Sequence, residues 1–309
     1  MGLTALRHDG KVSAPPSVVP DSAMPQLFQA ADVASLDGQR SYVGGIRQRL
    51  VLLVIAAATG VVTWRVGSGR VDLLGLVGVG AFIGAIVVEA SLWRRRPDKT
   101  WYDGRAIAES AKTLAWKFAV GGAPFAINMP DPEATTALID KFHKLKQQFP
   151  DVELSPVQAP QVSEWMKTQR TGSFEERKKV YLEGRIRDQQ AWYAAKSAYN
   201  KRQSKRWRAG LIALESGGAL ASLATAVINT SVMLGPAIAM ISGAALAWIE
   251  TKQHDSLARA YSAASFDLSN AETKLMLVDT EVSWSREVDD AEEAISREHV
   301  VWLATRHRL

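Results

Sequence analysis

The chain has 309 residues, room for two modest domains, and an ordinary 47% hydrophobic content, so any membrane-spanning character must be concentrated in patches. The absence of cysteine excludes disulfides, thiolate metal sites and a cysteine nucleophile, and fits a reducing compartment. A net charge of +5 suits nucleic acid or an anionic membrane surface until the charges are located.

Residues 1–37 are rich in Pro, Ser, Asp and Ala, with no apolar segment behind a basic start. They read as a disordered tail, not a cleavable signal peptide. Four apolar blocks follow: Val51–Trp64, Leu73–Trp93, Ala209–Leu234 and Gly235–Ile249. A membrane span needs roughly 20 residues at about 1.5 Å rise each. The second block meets this, and the first does so if Arg49 and Arg65 snorkel at its ends. The third and fourth together are long enough for two spans, divided at the turn signal Gly235-Pro236. The alternative is a pair of buried hairpins in a soluble protein.

The cations favour the membrane. Arg47 and Arg49 precede the first block, and Arg94, Arg95, Arg96 and Lys99 follow the second. Lys201, Arg202, Lys205, Arg206 and Arg208 precede the third, and Lys252 and Arg259 follow the fourth. The first intervening turn holds only Arg65, Arg70 and Asp72, and the second holds no charge. The positive-inside bias therefore places both termini and the central segment in the cytoplasm. Trp93, Arg94, Arg95, Arg96, Arg206, Trp207 and Arg208 are the expected anchors at the membrane boundary, with Trp248 in a matching place.

Beyond the spans, Ile107, Ala111, Leu114 and Phe118 repeat at steps of four and three. So do Leu257, Tyr261, Ala264, Leu268, Ala271, Leu275 and Val278, and, after a break near Asp279-Thr280, Trp284, Val288, Ala291, Ile295, Glu298 and Trp302. This heptad spacing predicts helices packed along a narrow seam, within the chain or between copies. Asp131 is expected to cap a helix reaching Pro150 with Pro132 in its first turn. Ser173 and Glu176 form a capping box that opens one proline-free helix running into the third block. The expected fold is an all-α membrane protein of two transmembrane hairpins, four transmembrane helices, with long cytoplasmic amphipathic helices. Residues 38–172 hold the first hairpin and its helices, and 173–309 hold the second.

Small residues mark expected helix packing: Gly80 and Gly84 in the second block, and Gly235 and Gly243, four-residue steps through Ala239, in the fourth. Polar residues inside the apolar blocks, Glu89, Glu215, Asn229 and Glu250, are the candidates for a pore or gate. The alternative for two of them is local pairing, Glu89 with Arg94 or Arg95 and Glu215 with Arg208 or Lys205. The acidic run Glu287, Asp289, Asp290, Glu292, Glu293 reads as a solvated helix face before it reads as a cation site. The five histidines, His8, His143, His254, His299 and His307, are scattered. With no phosphate-binding loop, nucleophile elbow or H-E-x-x-H motif, the expectation is a non-enzyme with no cofactor or metal. The basic run Lys201–Arg208 lies against a span, so lipid headgroups are its expected partners, not nucleic acid. A nucleotide messenger fits there too, or at the loop GGAPFAINMP, residues 121–130.

Several phrases, in order around two hairpins, resemble the SLATT domains, the SMODS and SLOG-associating two-transmembrane effector domains of bacteria. WYDGRAIAESAKTLAWKF, after the first hairpin, is similar to the family's third type. ERKKVYLEGRIRDQQAWYAAKSAYNKRQSKRWR and WSREVDDAEEAISREHVVWLATR, flanking the second hairpin, resemble its first type. The resemblance implies a bacterial inner-membrane effector of conflict or abortive-infection systems, oligomeric and pore-forming, acting beside a separate nucleotide-sensing or nucleotide-generating protein. The alternative is a non-conducting scaffold or receptor subunit that recruits a partner through its heptad helices.

Overall fold

The structure, a computed structural model, describes residues 19–61, 64–66, 71–228 and 234–306, the side chains of 65, 234 and 297–306 apart. The candidate Asn229 and the seam residues Glu298 and Trp302 lie outside what is described.

Helices carry the fold: α1 Gln26–Thr59, α2 Leu73–Arg95, α3 Pro97–Val120, α4 Asp131–Gln147, α5 Glu164–Arg170, α6 Phe174–Tyr181, α7 Asp188–Ile228, α8 Leu234–Lys252, α9 His254–Leu277 and α10 Glu281–Arg306. A π-helical turn, Leu182–Arg187, joins α6 to α7, so the helix opened by the Ser173–Glu176 capping box runs on to Ile228. Two short strands, β1 Arg65–Val66 and β2 Val71–Asp72, pair antiparallel between α1 and α2.

The chain forms two compact units. A helical body contains Met1–Gln39, Asp98–Tyr199 and Leu257–Leu309, and a hairpin unit contains Arg40–Pro97 and Asn200–Ser256. The boundary expected at 172/173 divides the chain, not space. Each half sends its apolar hairpin to one unit and its amphipathic helices to the other, because the two kinds of surface do not pack together.

In the helical body the heptad seams meet one another. Ile107, Ala111 and Phe118 of α3, Leu268 and Leu275 of α9, and Trp284, Val288 and Ile295 of α10 share one buried core. Each of the larger aliphatic and Phe side chains contributes roughly 1.5–3 kcal/mol of burial. Tyr181 stands at its centre, edge-on to Trp116 at 5.8 Å and to Trp284 at 5.7 Å. The seams are thus filled within the chain, and packing between copies has to use other surfaces.

Of the tail expected to be disordered, residues 1–18 lie outside the described residues and residues 19–37 are ordered. A 3-10 turn at Asp21–Ala23 leads into α1, and Met24, Leu27, Phe28 and Ala31 are buried in the same core. Their helical spacing outweighs the polar composition around them. Gly104 lets α1 lie against α3: a Cβ there would stand 2.9 Å from Ser35 N and 3.1 Å from Ala31 O. Ser35 Oγ donates to Trp101 O at 3.0 Å across the same contact.

The two hairpins share a construction. Each is entered by a helix that continues without a break from the body, α1 or α7. Each is left through one left-handed residue, Arg96 (φ 46°) before Pro97 and Gln253 (φ 49°) before α9. Two local expectations change. Gly235 and Pro236 lie in the first turn of α8 instead of forming the turn, which suits a proline lacking an amide proton. Asp131 lies inside α4, behind Pro130 as N-cap, and makes no cap bond of its own. Its carboxylate is taken by Arg170 instead.

Candidate functional site

The hairpin unit exposes large apolar side chains along its helices, among them Leu76, Ile83 and Val87 of α2 and Leu220, Leu223 and Val227 of α7. A soluble hairpin would bury them, and a contiguous surface of this kind belongs in hydrocarbon. Three helical stretches, Gln26–Thr59, Leu73–Val120 and Phe174–Ile228, are long and apolar enough to cross a membrane.

The packing glycines divide into two groups. A Cβ at Gly84 would meet Leu52 at 3.3 Å, and one at Gly235 would meet Ser222 Oγ at 2.7 Å, so both serve contacts inside the unit. Gly80 and Gly243 face open space, as does Gly217, so their faces are left without a neighbour.

The carboxylates of the hairpin helices also separate. Glu89 pairs with Arg49 Nε at 3.0 Å, across the hairpin, and not with Arg94 or Arg95 as expected. Arg208 pairs with Asp255 at 3.4 Å instead of Glu215. Glu215 and Glu250 are exposed and make no ion pair among the described residues. At the boundary, Trp93 is 80% exposed and Lys252 lies over the Trp248 ring at 5.0 Å. Arg94, Arg95, Arg96 and Arg206 are exposed and Trp207 is half-buried.

The helical body holds buried charge that sequence reasoning missed. Glu292, fully buried, accepts from Arg185 Nε at 2.8 Å and Nη2 at 2.7 Å, from Thr113 Oγ1 at 2.8 Å and from Tyr181 OH at 3.1 Å. Burial opposes the charge of Arg185, but the Glu292 carboxylate outweighs it and holds the guanidinium above its ordinary pKa. Burial, then the same carboxylate, pushes the Tyr181 phenol well up. Asp289 is engaged by Lys117 at 2.5 Å. The acidic run is therefore only partly a solvated face. The signal was present: Glu292 falls four residues after Val288 and three before Ile295, on the seam face.

A second buried cluster lies where α1 meets α3. Lys112 Nζ stands 3.4 Å from Asp21 Oδ1 with both side chains nearly enclosed. Burial lowers the Lys112 pKa against the pull of Asp21. Burial and the carboxylates of Asp21 and Glu109 push Asp32, well before the spanning part of α1, up to about 7.

The loop at residues 121–130 is held by an arginine clamp. Arg170 donates to the carbonyls of Phe118, Phe125, Ala126 and Met129 at 2.8–3.1 Å. Arg177 donates to the carbonyls of Gly172 and Val120 and pairs with Glu281. No cluster fit to hold a metal occurs among the described residues. Between α9 and α10 runs a surface groove of about 710 Å³, floored by alanines such as Ala264 and Ala291 and edged by Asp267, Glu287, Asp290 and Glu293, with one cation, Lys274, among them.

Helical hairpins with apolar outer surfaces, joined to a body of amphipathic helices, define an all-α membrane protein built from repeated two-helix units. Residues 25–178 match the model of SMODS and SLOG-associating 2TM effector domain 3, and residues 181–302 that of SMODS and SLOG-associating 2TM effector domain 1. The chain belongs to this family of two-transmembrane effector domains, as a tandem of the third type followed by the first. No curated protein and no solved structure matches it.

Proposed function

We propose that the protein is a non-enzymatic effector that self-assembles in the bacterial inner membrane and opens a conducting path. Its four apolar helices span the membrane, and both chain ends and the helical body lie on the cytoplasmic side, where the arginine and lysine collars belong. The observation that carries this reading is Glu215. It stands seven residues past Arg208, about 10 Å along the helix at 1.5 Å per residue. It is exposed on α7 and unpaired among the described residues. A carboxylate so placed costs roughly 2.5 kcal/mol or more against lipid. Water in a lumen, or a neighbouring copy, removes that cost. The open faces at Gly80, Gly217 and Gly243 suit close approach by such a copy. Association with SMODS and SLOG proteins, part of the family's description, supports a trigger from a separate nucleotide-sensing or nucleotide-generating partner.

The experiment is single-channel recording and liposome dye release with the purified full chain and its Glu215→Gln variant. Conduction is expected, with lower cation selectivity in the variant. A protein that assembles under activating conditions yet leaves the membrane tight overturns the reading. A second reading, a non-conducting scaffold, rests on the groove between α9 and α10, whose carboxylate edge suits a basic partner helix. Co-purification of a stoichiometric partner without conduction would favour it.

A further inference from the structure

The first hairpin carries a crevice of about 490 Å³, within the usual range of small-ligand sites at roughly 300–1,000 Å³. Its head is the Arg49–Glu89 pair and its wall is apolar, formed by Leu53, Phe82 and Ile86, with Trp93 at the rim. All belong to α1 and α2 within the hairpin unit. Phe82 is 49% exposed and Ile86 66%, so the crevice opens on the surface that faces hydrocarbon. Glu89 lies four residues before Trp93, about 6 Å along the helix, which sets the ion pair just inside the boundary that Trp93 marks, within reach of a lipid headgroup. An exposed tryptophan followed by three arginines is what a membrane–water boundary selects.

The pair is not consumed by its own contact. Glu89 Oε2 stands 3.0 Å from Arg49 Nε, with the two side chains 50% and 38% exposed. A guanidinium has five N–H donors and a carboxylate two oxygens, more than this contact uses. A positive and a negative group 3.0 Å apart, each side chain more than a third exposed, match a headgroup that carries both signs. A phosphate accepts from the other Arg49 N–H groups, and a primary ammonium donates to Glu89. A quaternary amine has no proton to donate there, and a purely anionic headgroup meets the Glu89 charge without compensation.

We propose that this crevice is a phospholipid site selective for a phosphoethanolamine headgroup, with one acyl chain lying along Leu53, Phe82 and Ile86. The site uses the first hairpin's outer surface and does not rest on the conducting reading. Its occupant would brace α1 against α2 at the end where the basic cluster lies.

The test is native mass spectrometry of the full chain released from detergent, titrated separately with phosphatidylethanolamine, phosphatidylcholine and phosphatidylglycerol of one acyl composition. The ethanolamine lipid is expected to be retained about tenfold over either of the others, the effect of one charge-assisted hydrogen bond. Glu89→Gln should erase that preference, and Ile86→Trp, which fills the chain channel without touching the pair, should lower retention of all three. Equal retention of the three lipids by the native chain overturns the proposal. So does unchanged retention in Ile86→Trp, or a photo-crosslinker at position 86 that captures a second copy of the chain instead of lipid. If Glu89→Gln is not monodisperse, Ile86→Trp and the crosslink decide.

Discussion

Replacing Glu292 by alanine should cost more than any other single truncation in the helical body. Glu292 is the carboxylate hydrogen-bonded to Arg185, whose side chain is 2% exposed, and four hydrogen bonds converge on it. Removing it leaves an enclosed guanidinium with only the weaker attraction of Glu109 and takes the acceptor from Thr113 and Tyr181. Breaking a buried pair in this way costs about 3–5 kcal/mol. In a body of this size that corresponds to a midpoint lowered by about 10 °C. Thermal unfolding in mild detergent, followed by tryptophan fluorescence, reads it directly because Trp116 and Trp284 both stand beside Tyr181. The double variant Arg185→Met with Glu292→Met removes both charges and should recover at least half of the loss. A single variant within about 1 kcal/mol of the native chain, or a double variant no better than the single, refutes the account of the network as a compensated pair.

Three further outcomes are expected. Gly104→Val should destabilise the seating of α1 on α3 by about 1–3 kcal/mol, since the backbone atoms Ser35 N and Ala31 O cannot yield, and a native midpoint in the same melt contradicts this. Asp32 holds its proton in the folded chain up to about pH 7 although its ordinary value is 3.8. Its stabilising contribution is therefore full below about pH 4 and is lost as the pH rises to about 7; Asp32→Asn should flatten that part of the midpoint-versus-pH curve, and unchanged curvature would tell against it. Gln253→Gly should raise the midpoint slightly, by up to about 1 kcal/mol in stability, because glycine meets φ 49° without the penalty an L side chain carries.

Helices were the legible part of this sequence, since hydrophobic period is a local property. The break between α9 and α10, the capping box at Ser173 and the seam from Leu257 to Ile295 all follow from spacing. Where a helix's partner lies is not local. The seam of α10 gives no sign of whether α3 of the same chain or another copy fills it. Glu89 has Arg94 nearby in sequence and Arg49 nearby in space, and only the hairpin decides between them. The polar N-terminal stretch concealed Met24, Leu27 and Phe28 because a few apolar residues at helical spacing barely change the composition of a stretch rich in Pro, Ser, Asp and Ala. The arginines that organise the core, Arg170, Arg177 and Arg185, lay outside expectation altogether, since their partners are main-chain carbonyls and remote carboxylates.

The two legs of each hairpin are built unequally. The entering leg is one unbroken helix, α1 or α7, while the returning leg ends at a single left-handed residue, Arg96 or Gln253. Tolerance to substitution should divide the same way: glycine is favoured at 96 and 253 and penalised inside α1 or α7.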